Sequence, residues 1–209
     1  MSDEFQLEEV SLENIDEAVE VLCDAFHGYP TMQFIVGEAG EDYARQLKLL
    51  VGFFARARFL RGDHVLAAKQ GDQMVGVANI VCPDSEAPAE LERYRESLWQ
   101  ELGDEARQRY ELFGEATEPL IVDEPHYHLA MIGVRQSHVK QGVARRLLEI
   151  VHEMSASNPD SKGVSLTTER PDNVDLYRQF GYQVVGRAEL GEGEELESWG
   201  MFRRDPDVE

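Results

Sequence analysis

The sequence predicts a mixed α/β domain built on a central sheet. Three observations lead there. Its 209 residues suit one domain with a full core, or one domain carrying an insertion. Residues 127–134 are almost wholly apolar, the mark of a strand buried in the middle of a sheet. After them, strand and helix patterns alternate to the end of the chain.

Taken in order, residues 5–10 alternate and read as a strand. Ser11 and Asn14 are cap candidates for a helix over 12–27. Its apolar positions Ile15, Ala18, Val19, Leu22 and Phe26 follow the helical period, and Gly28-Tyr29-Pro30 breaks it. A second helix over 41–60 carries Tyr43, Leu47, Leu50, Phe53 and Phe54 as its stripe. Strands over 64–69 and 73–82 flank the turn Gln70-Gly71-Asp72. Residues 88–113 form one charged amphipathic helix, which marks 85–124 as a helical insertion into a single domain spanning 1–209. Then come a helix over 141–154, a strand over 164–168 and a short helix over 172–180 that ends at Gly181. Strands beginning at 182 and at 197 close the chain.

Charge excludes some partners. There are 41 acidic and 20 basic residues, a formal charge of −21. A surface for duplex nucleic acid needs clustered cations, so nucleic acid is not an expected partner, and neither is an anionic membrane. Only 4 of the basic residues are Lys (48, 69, 140, 162) and 16 are Arg, a balance that suits screened surface charge at high salt or GC-rich coding. The first residues, Met1-Ser2-Asp3-Glu4, are acidic as a stretch and lack the apolar core of a signal peptide. The 2 cysteines, Cys23 and Cys82, exclude a disulfide framework and fall on apolar faces. The expected location is the cytoplasm.

One segment carries chemistry. After the apolar strand, the loop Arg135-Gln-Ser-His-Val-Lys140 runs into a helix that opens with Gly142 and Ala144. Small residues there let a ligand approach backbone N–H groups that lack helical partners, and a helix N-terminus favours an anion. From Leu129 to Leu148 there is no Asp or Glu, but there are Arg135, Lys140, Arg145 and Arg146. A phosphate-bearing ligand belongs on this electropositive island. Neither G-x-x-x-x-G-K-[ST] nor G-x-G-x-x-G occurs.

At these residues the sequence resembles the GNAT family of acetyl-CoA-dependent N-acetyltransferases. The family's Q/R-x-x-G-x-G/A becomes Val139-Lys140-Gln141-Gly142-Val143-Ala144, with Val139 and Lys140 as departures. A second block, Leu166-Thr-Thr-Glu169-Arg-Pro-Asp-Asn173-Val-Asp-Leu-Tyr177-Arg-Gln-Phe-Gly181-Tyr182, resembles the family's strand, Asn-x-x-x-Tyr and x-x-Gly-Phe. Asp24 to Pro30 and Trp199 to Arg203 are similar to the small-molecule branch that includes puromycin N-acetyltransferase.

The resemblance implies a mixed, mostly antiparallel sheet of six to seven strands flanked by helices, with a splayed strand pair at the CoA site. It implies transfer of acetyl from acetyl-CoA to a small-molecule amine, by direct attack in a ternary complex, in a monomer or homodimer. The backbone of Ile132, Gly133 and Val134 would meet pantetheine. Lys140, Gln141, Gly142, Val143, Ala144 and Arg145 would hold the pyrophosphate, and Asn173 would bond the pantetheine or phosphate side. Tyr177 would be the general acid: a phenol near pKa 10 keeps its proton until the thiolate, near 8.5, leaves.

The base stays open among Glu169, His128, His126 and Glu124, because Thr167 stands where relatives often carry Glu. His126 and His128 share one strand face, with Asp123 and Glu124 nearby, but no further His or Cys completes a zinc set, so no metal is expected. Phe26 and Tyr29 are the leading acceptor-pocket residues, with Phe53, Phe54 and Trp199 as further candidates. The alternative function is a non-catalytic CoA-binding or regulatory module on the same fold.

Overall fold

The computed structural model describes residues 5–37, 39–190 and 196–206; Met1, Ser2, Asp3 and Glu4 lie outside them. Strand β1 (Gln6–Glu9) pairs antiparallel with β2 (His64–Gln70), and β2 with β3 (Gln73–Val81) across a two-residue Gly71-Asp72 turn. Between β1 and β2 run α1 (Ile15–Phe26), α2 (Pro30–Val36) and α3 (Tyr43–Arg61). Sequence periodicity reveals α1 and α3 but not α2, since seven residues complete barely two turns. Pro30 seeds α2 at the first helical position, where its missing N–H would find no partner anyway.

The single charged helix expected over 88–113 is two: α4 (Ala89–Leu102) and α5 (Asp104–Thr117). Gly103 separates them at φ +88°, a conformation no helical residue holds and few side chains tolerate. The segment is also less separate than an insertion suggests, because Leu91, Leu98, Trp99, Leu102 and Ala106 are buried in the main core with Leu22, Leu50, Val77 and Met131.

The second half gives β4 (Tyr127–Val134), α6 (Val143–Ser157), β5 (Gly163–Thr168), α7 (Pro171–Arg178), β6 (Gln183–Leu190) and β7 (Leu196–Arg204). The seven strands form one sheet in the order β1-β2-β3-β4-β5-β7-β6. Successive residues of β3 feed opposite faces: Val77 joins the core under α1 and α3, and Ala78 joins a second core with Leu147, Val164 and Met201.

All neighbouring strands are antiparallel except β4 and β5, which run parallel. That pairing lasts only from Tyr127↔Val164 to His128↔Ser165. Beyond it β4 keeps β3, β5 keeps β7, and the two strands part as expected. On β4 the register jumps from Met131↔Asn79 to Leu129↔Ile80, so Ala130 is an extra, unpaired residue. Such a bulge bends the strand locally and re-aims its neighbours. Among the described residues no helix is long and apolar enough to cross a membrane.

Candidate active site

The parting of β4 and β5 opens a cleft of about 820 Å³. Residues 129–132 and 165–167 form its floor, and Asn173 and Tyr177 of α7 stand at one end. Phe26, Tyr29, Thr31 and Met32, from the α1–α2 corner, make one wall. The roof is α5 and the segment after it, with Tyr110, Phe113, Leu120 and Ile121.

A hydrogen-bond chain fixes the corner against the strand end. The Tyr29 and Thr168 hydroxyls share a 3.0 Å hydrogen bond. The backbone N–H of Glu169 donates to the Tyr29 oxygen at 3.2 Å, and Asn173 Nδ2 donates to Thr168 Oγ1 at 3.1 Å. Phe26 packs beside Tyr29 with ring centres 5.0 Å apart. Two expected acceptor residues and one expected cofactor residue are thus held in one network, with Asn173 spending one of its amide protons on Thr168.

Glu169 ends β5 inside this network. Its Oε1 accepts from the Ser198 hydroxyl at 2.9 Å, and burial raises its carboxyl above the ordinary value. Tyr177 is buried and borders the cleft, and its hydroxyl has no hydrogen-bond partner among the described residues. Burial, reinforced by the negative charge of Tyr29 and Glu169, lifts its phenol well above 10. Burial and then Glu169 push Tyr29 up to about 12. Both phenols therefore keep their protons throughout the neutral range.

The other candidate bases differ. His128 shares a 2.8 Å hydrogen bond between Nδ1 and Ser165 Oγ, and burial lowers its ring to about 4, leaving it neutral and weakly basic at pH 7. Glu124 sits at the exposed mouth, where Arg204 binds both its oxygens and holds it below the usual carboxylate range. His126 bonds the Glu124 carbonyl through Nδ1. Among the described residues no cluster of His, Cys, Asp or Glu has the makings of a metal site. Burial raises the thiols of Cys23 and Cys82 to about 11, so both are unreactive at neutral pH.

At the start of α6, Lys140 (φ +64°) and Gly142 (φ +90°) both take left-handed backbone, so the loop turns sharply before Val143 begins the helix. No side chain caps the first turn, and a Cβ on Gly142 would meet nothing within 4 Å. The first amides of the helix, from Gly142 to Arg145, therefore have no side-chain cap, while the Gln141 side-chain Nε2 donates to the Ser137 carbonyl at 3.1 Å.

The electropositive island is smaller than its four cations suggest. Arg135 donates to the Met74 carbonyl, and Arg146 lies near Glu149 and Glu153. Lys140 and Arg145 remain without ion-pair partners among the described residues, and Arg145 rests over the Phe180 ring. An extended pantetheine arm ending in a pyrophosphate fits these elements. Residues 132–134 of β4 lie beyond the last rung shared with β5, and the uncapped amides with two free cations suit a pyrophosphate.

Not every expected pocket residue arrives. Phe54 lines the cleft, but Phe53 is buried in the main core and Trp199 packs against the second core. Sequence reasoning missed Thr31, Asn79, Arg58 and the roof residues. Of these, Asn79 left a sequence signal, as a polar residue inside the apolar stretch of β3 after Gln73.

Residues 98–196 match the family model described as Acetyltransferase (GNAT) domain. The fold is similar to that of a histone acetyltransferase HPA2 and related acetyltransferase from Corynebacterium glutamicum, with TM-score 0.68 and 18% identity over 100% of this chain and 99% of that one. It is similar to arylalkylamine N-acetyltransferase 2 from Aedes aegypti, with TM-score 0.62 and 15% identity over 95% and 97% of the two chains. The ribosomal-protein-S18-alanine N-acetyltransferase from Escherichia coli gives TM-score 0.57 and 11% identity over 99% and 97%. No curated protein matches the chain in sequence.

Proposed function

We propose that this chain is a GNAT acetyltransferase that transfers acetyl from acetyl-CoA to the amine of a small molecule, in the cytoplasm, by direct attack in a ternary complex. The carrying observation is that the cleft between β4 and β5 holds, at one end, a buried carboxyl and an unpartnered phenol, Glu169 and Tyr177. Bound acetyl-CoA supplies a thioester carbonyl carbon open to a nucleophile. The backbone of Ile132, Gly133 and Val134 holds the pantetheine arm as an added strand would be held. The amides from Gly142 to Arg145, with Lys140, take the pyrophosphate.

Glu169 is the base that suits the amine. Its burial makes it a stronger base than a solvated carboxylate, and it lies beside the wall where the acceptor binds. It draws a proton from the ammonium, whose nitrogen then attacks the thioester carbon as the C–S bond breaks. Tyr177 gives its proton to the departing sulfur, and the second proton that the new amide nitrogen sheds returns to the phenolate. The raised phenol is a weak acid in isolation, but the same burial raises the thiol, so the proton has a destination of comparable affinity. His128 keeps its bond to Ser165 and orders the floor of the cleft.

The walls support a small acceptor. α5 and the segment after it roof the cleft, leaving a pocket rather than an open groove for a folded protein. Phe26 and Tyr29 face the acceptor, and the stretches around them, residues 24–30 and 199–203, support the small-molecule branch.

Calorimetry with acetyl-CoA, followed by thiol release with a panel of amines, tests the reading. Micromolar binding that weakens with Arg145→Glu, together with amine-dependent thiol release, supports it. Binding without release from any amine would leave a CoA-binding module instead.

A further inference from the structure

We infer that Asn79 sets the acceptor preference of the cleft by accepting a hydrogen bond from a donor at the far end of the amine substrate. The inference rests on the N-acetyltransferase reading and extends it to a substrate class.

Asn79 lies in β3, among Val, Gly, Ala and Ile, and its side chain is 0% exposed. Its Nδ2 points to Met131 Sδ at 3.6 Å. Its Oδ1 has no hydrogen-bond partner among the described residues, although the carboxamide lines the cleft. Exchanging nitrogen and oxygen would set the carbonyl against a thioether sulfur, which has no proton to give, so the oxygen is the atom left over. Buried acceptors are nearly always satisfied, and an exception inside a binding cleft calls for a donor.

A ligand can supply that donor. An amine whose tail ends in O–H or N–H satisfies the carbonyl. A purely apolar tail drives water from the cleft and leaves the carbonyl bare, which is how a site built for a hydroxyl rejects the analogue without it. The cleft that Glu169 and Asn79 both line also carries Phe26, Tyr29, Met32 and Phe54, which suit an aromatic or apolar body. Arg58 also lines the cleft, but Asp63 holds it in a buried ion pair at 3.3 Å, so an anionic tail finds no free partner in it. The substrate class is an aromatic primary amine with a hydrogen-bond donor on the ring end.

The experiment measures thiol release with benzylamine, 2-phenylethylamine and 3-phenylpropylamine, each unsubstituted, para-hydroxylated and para-methoxylated. At the chain length that fits, the hydroxyl compound should exceed the unsubstituted one by about tenfold in kcat/KM, and the methoxy compound should gain nothing. In Asn79→Leu the ratio should fall to about one through a gain on the unsubstituted amine. The melting temperature should hold or rise, since an unpartnered polar group has gone. Asn79→Val serves the same ratio test should the larger side chain not fold.

Equal use of hydroxylated and unsubstituted amines at every length, or a preference that survives in the folded variant, overturns the inference alone. No thiol release with any amine overturns both it and the reading beneath it.

Discussion

Tyr177 and Glu169 do opposite things to the molecule's stability and its chemistry, and that separates their tests. Tyr177→Phe removes only a hydroxyl that no described residue engages. Turnover should fall about a hundredfold or more while acetyl-CoA affinity in calorimetry stays within about a factor of two. An unchanged turnover would remove Tyr177 as the acid. Glu169 has its carboxyl raised by burial, so the folded state holds that proton more tightly than the unfolded chain does. Its contribution to stability is therefore present at low pH and lost as pH rises through the folded value. Glu169→Gln, which keeps an acceptor for Ser198, should raise the melting temperature at pH 8 and depress turnover. The wild-type rate should climb with pH through a limb centred above 4.5, the ordinary value, and the variant should lose that limb.

The α6 entry makes the same separation at the level of an element. Gly142 at φ +90° and Lys140 at φ +64° are both in left-handed backbone, but only glycine is at ease there. Gly142→Ala adds a methyl to open space, so its penalty is conformational, about 1 kcal/mol, and the methyl stands where a pyrophosphate would approach the amides. Calorimetry should show acetyl-CoA binding weakened more than the melting curve is shifted. Lys140→Gly should relieve strain, raise the melting temperature slightly, and lessen the salt dependence of binding by removing one cation. Elements like this were legible because their signals are local. Gly142, Asn173 and Tyr177 sit at fixed spacings, and β4 announces itself by an almost wholly apolar run. The α2 turn was too short for a period, and Gly103 split a helix whose composition gave no break except the glycine itself. Asn79 was out of reach for a different reason. Its meaning depends on Met131, 52 residues away and directly opposite it just before the register shifts at Ala130, and no local pattern encodes that meeting.

Across the whole molecule, a formal charge of −21 competes with many ion pairs, and the two respond to salt in opposite directions. Pairs such as Arg45–Asp42, Lys48–Glu20 and Arg178–Asp175 are exposed on both sides, where each contributes at most about 1 kcal/mol and salt weakens it. The unpaired excess of acids repels itself over distances of about 30 Å at 0.01 M ionic strength but only about 3 Å at 1 M. Self-repulsion is the longer-ranged effect and involves more charges, so screening should stabilise the fold, and the melting temperature should rise steadily from 0.01 to 1 M sodium chloride. The same excess reaches the cleft mouth, where Glu118 and Asp123 border the entrance beside Glu111 and Glu124, which Arg107 and Arg204 pair. A cationic amine is drawn in by that rim, so its KM should rise over the salt range in which the melting temperature rises, with kcat nearly constant. Sucrose, which stabilises compact states without screening charge, should raise the melting temperature and leave KM alone. A melting temperature that falls with salt would mean that the surface pairs outweigh the repulsion. A KM indifferent to salt would mean that the acidic rim does not steer the acceptor, and that capture depends on contacts within the cleft.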